Sequence, residues 1–130
     1  TVQDRPNYKA VVQVIDNNDQ PGDVIIWSMY YDKALAHYYH GSAPTHQHIL
    51  PKTLEKSDLE QLVSDLPPIE SRFWFATQVS SQSSPLLETF LAENFDILTH
   101  KSYAQKLNNY GSMDVFLLSP RSTDIETNDQ

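Results

Sequence analysis

The segment Gln20-Pro21-Gly22-Asp23-Val24-Ile25-Ile26-Trp27-Ser28-Met29 sets a tight turn directly against a short, almost unbroken apolar run. Pro21 presets one backbone angle of the turn, and Gly22 accepts the positive φ that such turns often require. The run behind it is β-branched and apolar at consecutive positions. A strand with one wet face would alternate; this one reads as a strand buried on both faces, as in a parallel sheet. Such a strand needs helices on either side of it.

The residues to the left supply one. Tyr8, Val11, Val12 and Ile15 follow the i, i+3, i+4, i+7 spacing of a buried helical face. Pro6 suits a first helical position. Asn17-Asn18-Asp19-Gln20 ends the helix in turn formers.

To the right, Asp32 is placed to cap a short helix through Tyr39, with Ala34, Leu35, Tyr38 and Tyr39 as its apolar side. His46 to Leu50 is a weaker strand, closed by Pro51. Ser57-Asp58-Leu59-Glu60 matches a capping box, and Leu59, Leu62, Val63 and Leu66 form the face behind it. Pro67-Pro68 stops that helix. Arg72 to Val79 is a second strong strand. Ser80 to Ser84 reads as a flexible loop. Ser84-Pro85 starts a helix whose face is Leu87, Phe90, Leu91 and Phe95, ending near Asn94. Asp96 to Tyr103 and Met113 to Leu118 are the last strands. The Asn108-Asn109-Tyr110-Gly111 turn makes them an antiparallel pair.

The order α-β-α-β-α-β-α-β-β predicts an α/β fold. It is a three-layer arrangement: a mostly parallel sheet of about five strands, helices on both faces, and an antiparallel edge hairpin. Residues 1–118 form one domain, and residues 119–130 are a polar tail without a packing pattern, expected to be disordered.

Composition narrows the function. The chain has 130 residues, with 9 Lys and Arg against 17 Asp and Glu, a net charge of -8. Mean hydropathy is -0.50 and the isoelectric point is near 4.8. Nucleic acid is an unsuitable partner, because binding by phosphate neutralisation needs a basic face. No apolar run approaches the ~20 residues of a membrane span, and no signal-peptide pattern opens the chain. The absence of cysteine removes disulfides, thiol catalysis and cysteine-held metals. The chain begins Thr1-Val2-Gln3-Asp4 without an initiator methionine, so it is expected to be part of something longer.

No catalytic motif stands out. The 3 glycines, Gly22, Gly41 and Gly111, form neither a dinucleotide nor a phosphate-binding loop. There is no G-x-S-x-G elbow. His46-x-His48 places two imidazoles on one side of a strand, and with Asp23 they make a weak metal-site alternative. The simpler reading is a pair of solvent-facing histidines at a strand end. In open α/β sheets ligands bind beyond the carboxyl ends of the strands. That rule selects Tyr30, Tyr31 and Asp32 as ligand-binding candidates, with tyrosine rings suited to sugar faces.

The succession Arg5-Pro6-Asn7-Tyr8-Lys9-Ala10, Gln20-Pro21-Gly22-Asp23-Val24-Ile25-Ile26, Tyr38-Tyr39, Leu50-Pro51 and Arg72-Phe73-Trp74-Phe75 resembles a known domain. It is similar to the extracytoplasmic C-terminal domain of bacterial multi-pass GT-C-type glycosyltransferases, relatives of the dolichyl-phosphate-mannose protein mannosyltransferases. The resemblance covers roughly residues 5–118, and Tyr8-Lys9 stands where Trp-Arg is more usual. It implies a parent enzyme that moves a sugar from a polyprenyl-phosphate donor. In that family the catalytic acid lies in an early loop between membrane helices, so no residue here inherits a catalytic role. The resemblance further implies a domain without cofactor, on the periplasmic side of a bacterial membrane. Its partners would be the membrane-embedded remainder of the same chain and a glycan or lipid-linked sugar, with a part in acceptor binding. Two alternatives stay open on the residues alone: an autonomous metal-dependent hydrolase built on Asp23, His46 and His48, or a protein-interaction module.

Overall fold

A computed structural model describes residues 7–104 and 112–121. Along the chain run α1 (Tyr8–Asn18), β1 (Val24–Ser28), α2 (Lys33–Tyr38), β2 (Thr45–Gln47), α3 (Lys56–Ser64), β3 (Phe73–Gln78), α4 (Ser84–Asn94), β4 (Phe95–Ala104) and β5 (Ser112–Pro120). The strands form one sheet in the order β2-β1-β3-β5-β4. β1 is parallel to both β2 and β3, and β5 is antiparallel to both β3 and β4. Four strands therefore point one way, and only β5 runs against them. This is the expected α/β architecture: a parallel core closed by an antiparallel hairpin. Among the described residues no helix is long and apolar enough to cross a membrane.

β1, β3 and β5 each feed two cores because their side chains alternate. Val24 and Ile26, Phe73 and Phe75, and Phe116 and Leu118 meet Leu59 and Leu62 of α3 and Leu87, Phe90 and Leu91 of α4. Ile25 and Trp27, Trp74 and Ala76, and Val115 and Leu117 meet Val11, Val12 and Ile15 of α1 and Ala34 and Leu35 of α2. Aromatic pairs tighten the first core: Phe73 meets Phe95 edge-on at 5.3 Å, and Phe75 stacks on Phe116 at 6.1 Å. Burying side chains on both faces of β1 and β3 is the main source of stability. It explains why neither strand alternates in sequence.

Turn chemistry at the head of β1 follows the sequence. Gly22 has φ +92° and the Asp23 N–H returns to the Gln20 carbonyl at 3.0 Å, a type II turn with Pro and Gly at its two centres. Gly41, after α2, answers a packing need instead. A side chain there would run into the Tyr39 hydroxyl and the Asp19 carboxylate. Those two groups share a 2.6 Å hydrogen bond, and burial together with that bond pushes the Tyr39 phenol up to about 12.

Several elements differ in detail from the sequence expectation. The capping interaction of α3 starts two residues earlier: Asp58, not Glu60, accepts the N–H that precedes the helix, from Glu55 at 2.8 Å. Both patterns fit the spacing rule, and Leu54 decides between them by burying itself in the core just before the helix. Val63 is 36% exposed, because the described face of α3 turns only Leu59 and Leu62 fully inward. β2 is only three residues long and exposed. Asp32 precedes α2 but makes no side-chain capping bond. The Ser80–Ser84 loop is tied down: Ser80 N–H reaches the Lys52 carbonyl, and buried Ser83 accepts the Leu54 N–H at 2.8 Å. Ser119 and Pro120 complete β5 opposite Asp96 and Phe95. Arg121 then donates to the Ala92 and Glu93 carbonyls at the end of α4. Pro6, the Asn108–Gly111 turn and the rest of the tail lie outside the described residues.

Candidate functional site

β1 leads through α2 to β2 on one side, whereas β3 leads through α4 toward β4 on the other. The carboxyl ends of β1 and β3 are therefore a topological switch point, where the connections diverge and leave a crevice. A cavity of about 290 Å³ lies there, lined by Tyr8, Ser28, Met29, Tyr30, Ile49 to Lys52 and Gln78.

Two features separate it from ordinary surface. The first is aromatic. Tyr8 of α1 packs against Tyr31 at 4.9 Å and Trp27 at 6.5 Å, and the Trp27 indole donates to the Tyr31 carbonyl. This pins the chain after β1 and pushes Tyr30 outward, 83% exposed. Burial, with the neighbouring Tyr31, raises the Tyr8 pKa, so its hydroxyl stays protonated and able to donate. The second feature is polar. Ser28 Oγ and Gln78 Nε2 are buried atoms with no hydrogen-bond partner among the described residues. A buried polar group without a partner costs about 1–3 kcal/mol. Such groups gather where something outside the fold completes them. Lys52 adds positive charge at the rim.

The sequence candidates divide. Tyr30 lines the cavity, Tyr31 backs it through Tyr8, and exposed Asp32 lies outside the lining. Tyr8, Ser28, Gln78 and Lys52 join the site without having been singled out. Ser28 and Gln78 carry a signal that sequence could have given: each is a polar residue closing an apolar strand at its carboxyl end. Tyr8 and Lys52 carry none, since only the packing of α1 and the β2–α3 loop brings them here.

Asp23, His46 and His48 are not brought together. Asp23 is buried at the opposite, amino edge. There it accepts Arg72 Nε and Nη2 at 2.8 and 2.9 Å, the Trp74 indole at 3.0 Å and the Gln20 N–H at 2.9 Å. Burial opposes its ionisation, but the bonds from Arg72, Gln20 and Trp74 outweigh that and hold its pKa below the usual carboxylate value. Its carboxylate faces the α1–α2 side, with Trp74. His46 pairs with Ile26 and lies with Leu62 and Leu66 on the α3 side, where His48 Nδ1 sits 3.3 Å from Asp65. The sheet itself separates the aspartate from the two histidines.

The arrangement at the switch point suits binding. It offers rings, a hydroxyl and an amide. No protein-family model matches this chain, and a search of curated proteins finds no significant match.

Proposed function

We propose that this chain is the non-catalytic, extracytoplasmic lobe of a membrane glycosyltransferase that uses a polyprenyl-phosphate sugar donor, and that its switch-point cavity receives a sugar of the acceptor. The observation that carries this reading is an outward Tyr30 ring at a cavity whose walls include Ser28 and Gln78, residues whose buried polar atoms have no partner among the described residues. A pyranose presents the complementary surfaces: an apolar ring face for the tyrosine, and hydroxyls that both donate and accept for the serine and amide. The order of segments from Tyr8 to Phe75 is the second support, through its likeness to that enzyme class.

The test is an NMR titration of the 130-residue chain with acceptor glycans and, separately, with phosphosugar head groups. Binding moves the Met29–Asp32 amides and the Gln78 side-chain NH2. Tyr30→Ala weakens it about fivefold, the ~1 kcal/mol of one aromatic contact. Shifts confined to other surfaces would remove the cavity from the proposal. The coding sequence upstream of Thr1 tests the membrane body: a run of apolar segments supports it, and their absence overturns it.

A further inference from the structure

A second cluster of chemistry-bearing groups lies on the α3–α4 face of the same sheet edge, apart from the sugar cavity. Asp114 of β5 is 1% exposed, although it is a carboxylate in a core strand. Its Oδ1 lies 2.9 Å from His100 Nε2 of β4, and its Oδ2 accepts the Ser112 hydroxyl at 2.9 Å. Glu88, exposed on α4, brings a carboxylate oxygen to the same place; the three ligand-type atoms lie within 4.8 Å of one another. Among the described residues no other group of three such side chains converges.

One independent observation points to a missing ligand. Thr77 stands directly opposite Asp114 in the β3–β5 ladder, so both side chains leave the same face with Cβ atoms about 5 Å apart. Thr77 is wholly buried, and its hydroxyl has no partner among the described residues. Asp114 is its neighbour in the ladder, but the two oxygens of Asp114 meet His100 and Ser112 instead.

We propose that Glu88, His100 and Asp114 form a binding site for a divalent transition-metal ion. One imidazole nitrogen and two carboxylate oxygens are a donor set that zinc and its neighbours accept. The 2.9 Å between His100 Nε2 and Asp114 Oδ1 is a hydrogen-bond distance; opening it by about 0.5 Å gives the ~3.4 Å that separates two donors ~2.1 Å from a tetrahedral ion. The outer groups are in place too. Ser112 holds the second oxygen of Asp114, and the His100 ring lies flat on Phe116, with centroids 4.1 Å apart and planes 15° from parallel. Glu88 is exposed, leaving an entry path and freedom to close the last distance. Three protein ligands leave a coordination position open. A water held there would give Thr77 the partner it lacks.

The test uses Zn2+ alone, added to the chelator-treated 130-residue chain and followed by titration calorimetry. The histidine ring nitrogens are followed by NMR in parallel. One ion binds per chain with micromolar affinity, and His100 Nε2 shows the coordination shift. His100→Ala and Glu88→Gln each weaken binding tenfold or more. Glu88 is exposed, so circular dichroism of Glu88→Gln stays unchanged; the same measurement on His100→Ala checks that the fold survives loss of the ring from Phe116. A His46→Ala/His48→Ala double variant keeps the affinity. No binding, an affinity unchanged in either single variant, or one lost in the double variant overturns the assignment. None of these results depends on sugar binding.

Discussion

The two edges of the sheet treat buried polar groups differently. At the amino edge Asp23 is 2% exposed, and its oxygens take bonds from Arg72, Trp74 and the Gln20 backbone. Arg72 also donates to the Asn18 carbonyl at the end of α1, so one guanidinium joins β1, β3 and a helix terminus. At the carboxyl edge Asp114 is satisfied by His100 and Ser112, but Ser28 and Thr77, 2% and 0% exposed, have hydroxyls with no partner among the described residues. The amino edge is a clasp whose polar groups satisfy one another. The carboxyl edge leaves two buried hydroxyls unsatisfied among the described residues, that of Ser28 beside the cavity. Stability and binding are thus assigned to opposite ends of the same strands.

The most damaging way to break this contrast is Asp23→Ala. It leaves the buried Trp74 indole without its acceptor and the part-buried Arg72 with only the Asn18 carbonyl, and removing one partner of a buried pair costs about 3–5 kcal/mol. Urea denaturation measures it; a loss under about 1 kcal/mol would show that the clasp is dispensable. The same carboxylate gives a pH signature. Its folded pKa lies below the unfolded value of 3.8, so the unfolded state binds more protons as the pH drops. Its stabilisation is complete well above 3.8 and disappears as the pH falls through the folded value. Asp23→Ala therefore has a flatter stability profile than the parent chain below about pH 4.

Gly41→Ala probes the same edge by volume instead of charge. The new methyl group drives into the Tyr39 and Asp19 pair, and overpacking of this kind costs about 1–3 kcal/mol. A thermal melt unchanged from the parent chain would mean the loop yields freely.

The smallest effect has the opposite sign and belongs to the carboxyl edge. Thr77→Val removes a buried hydroxyl that none of the described residues satisfies, so stability stays level or rises by up to about 1 kcal/mol. A clear loss in urea denaturation would mean the hydroxyl already has a partner and would erase the contrast between the edges.

Much of the scaffold was legible in advance. The spacing of Val11, Val12 and Ile15, the unbroken Val24–Met29 run and the Pro21-Gly22 turn each act within a few residues, and each gave its element. The candidate site was legible only in outline. The carboxyl-end rule reached Tyr30 and Tyr31, but Asp32 stands outside the cavity, and Gln78 enters it from a strand about fifty residues away. The capping of α3 shows the limit on a smaller scale: two overlapping motifs satisfied the local rule, and packing at Leu54 chose one.

Sequence by itself therefore determined the kinds of element, their order, and the two-faced burial that makes the sheet largely parallel. These follow from periodicity and turn chemistry, which are properties of neighbouring residues. Only the tertiary structure decided that Asp23 belongs to Arg72, 49 residues on, that His100 meets Asp114, and that Thr77 faces Asp114 across a ladder. Those pairings depend on strand order and register. A shift of one residue turns every side chain of a strand to the other face, so the chemistry of the edges exists only once the register is set.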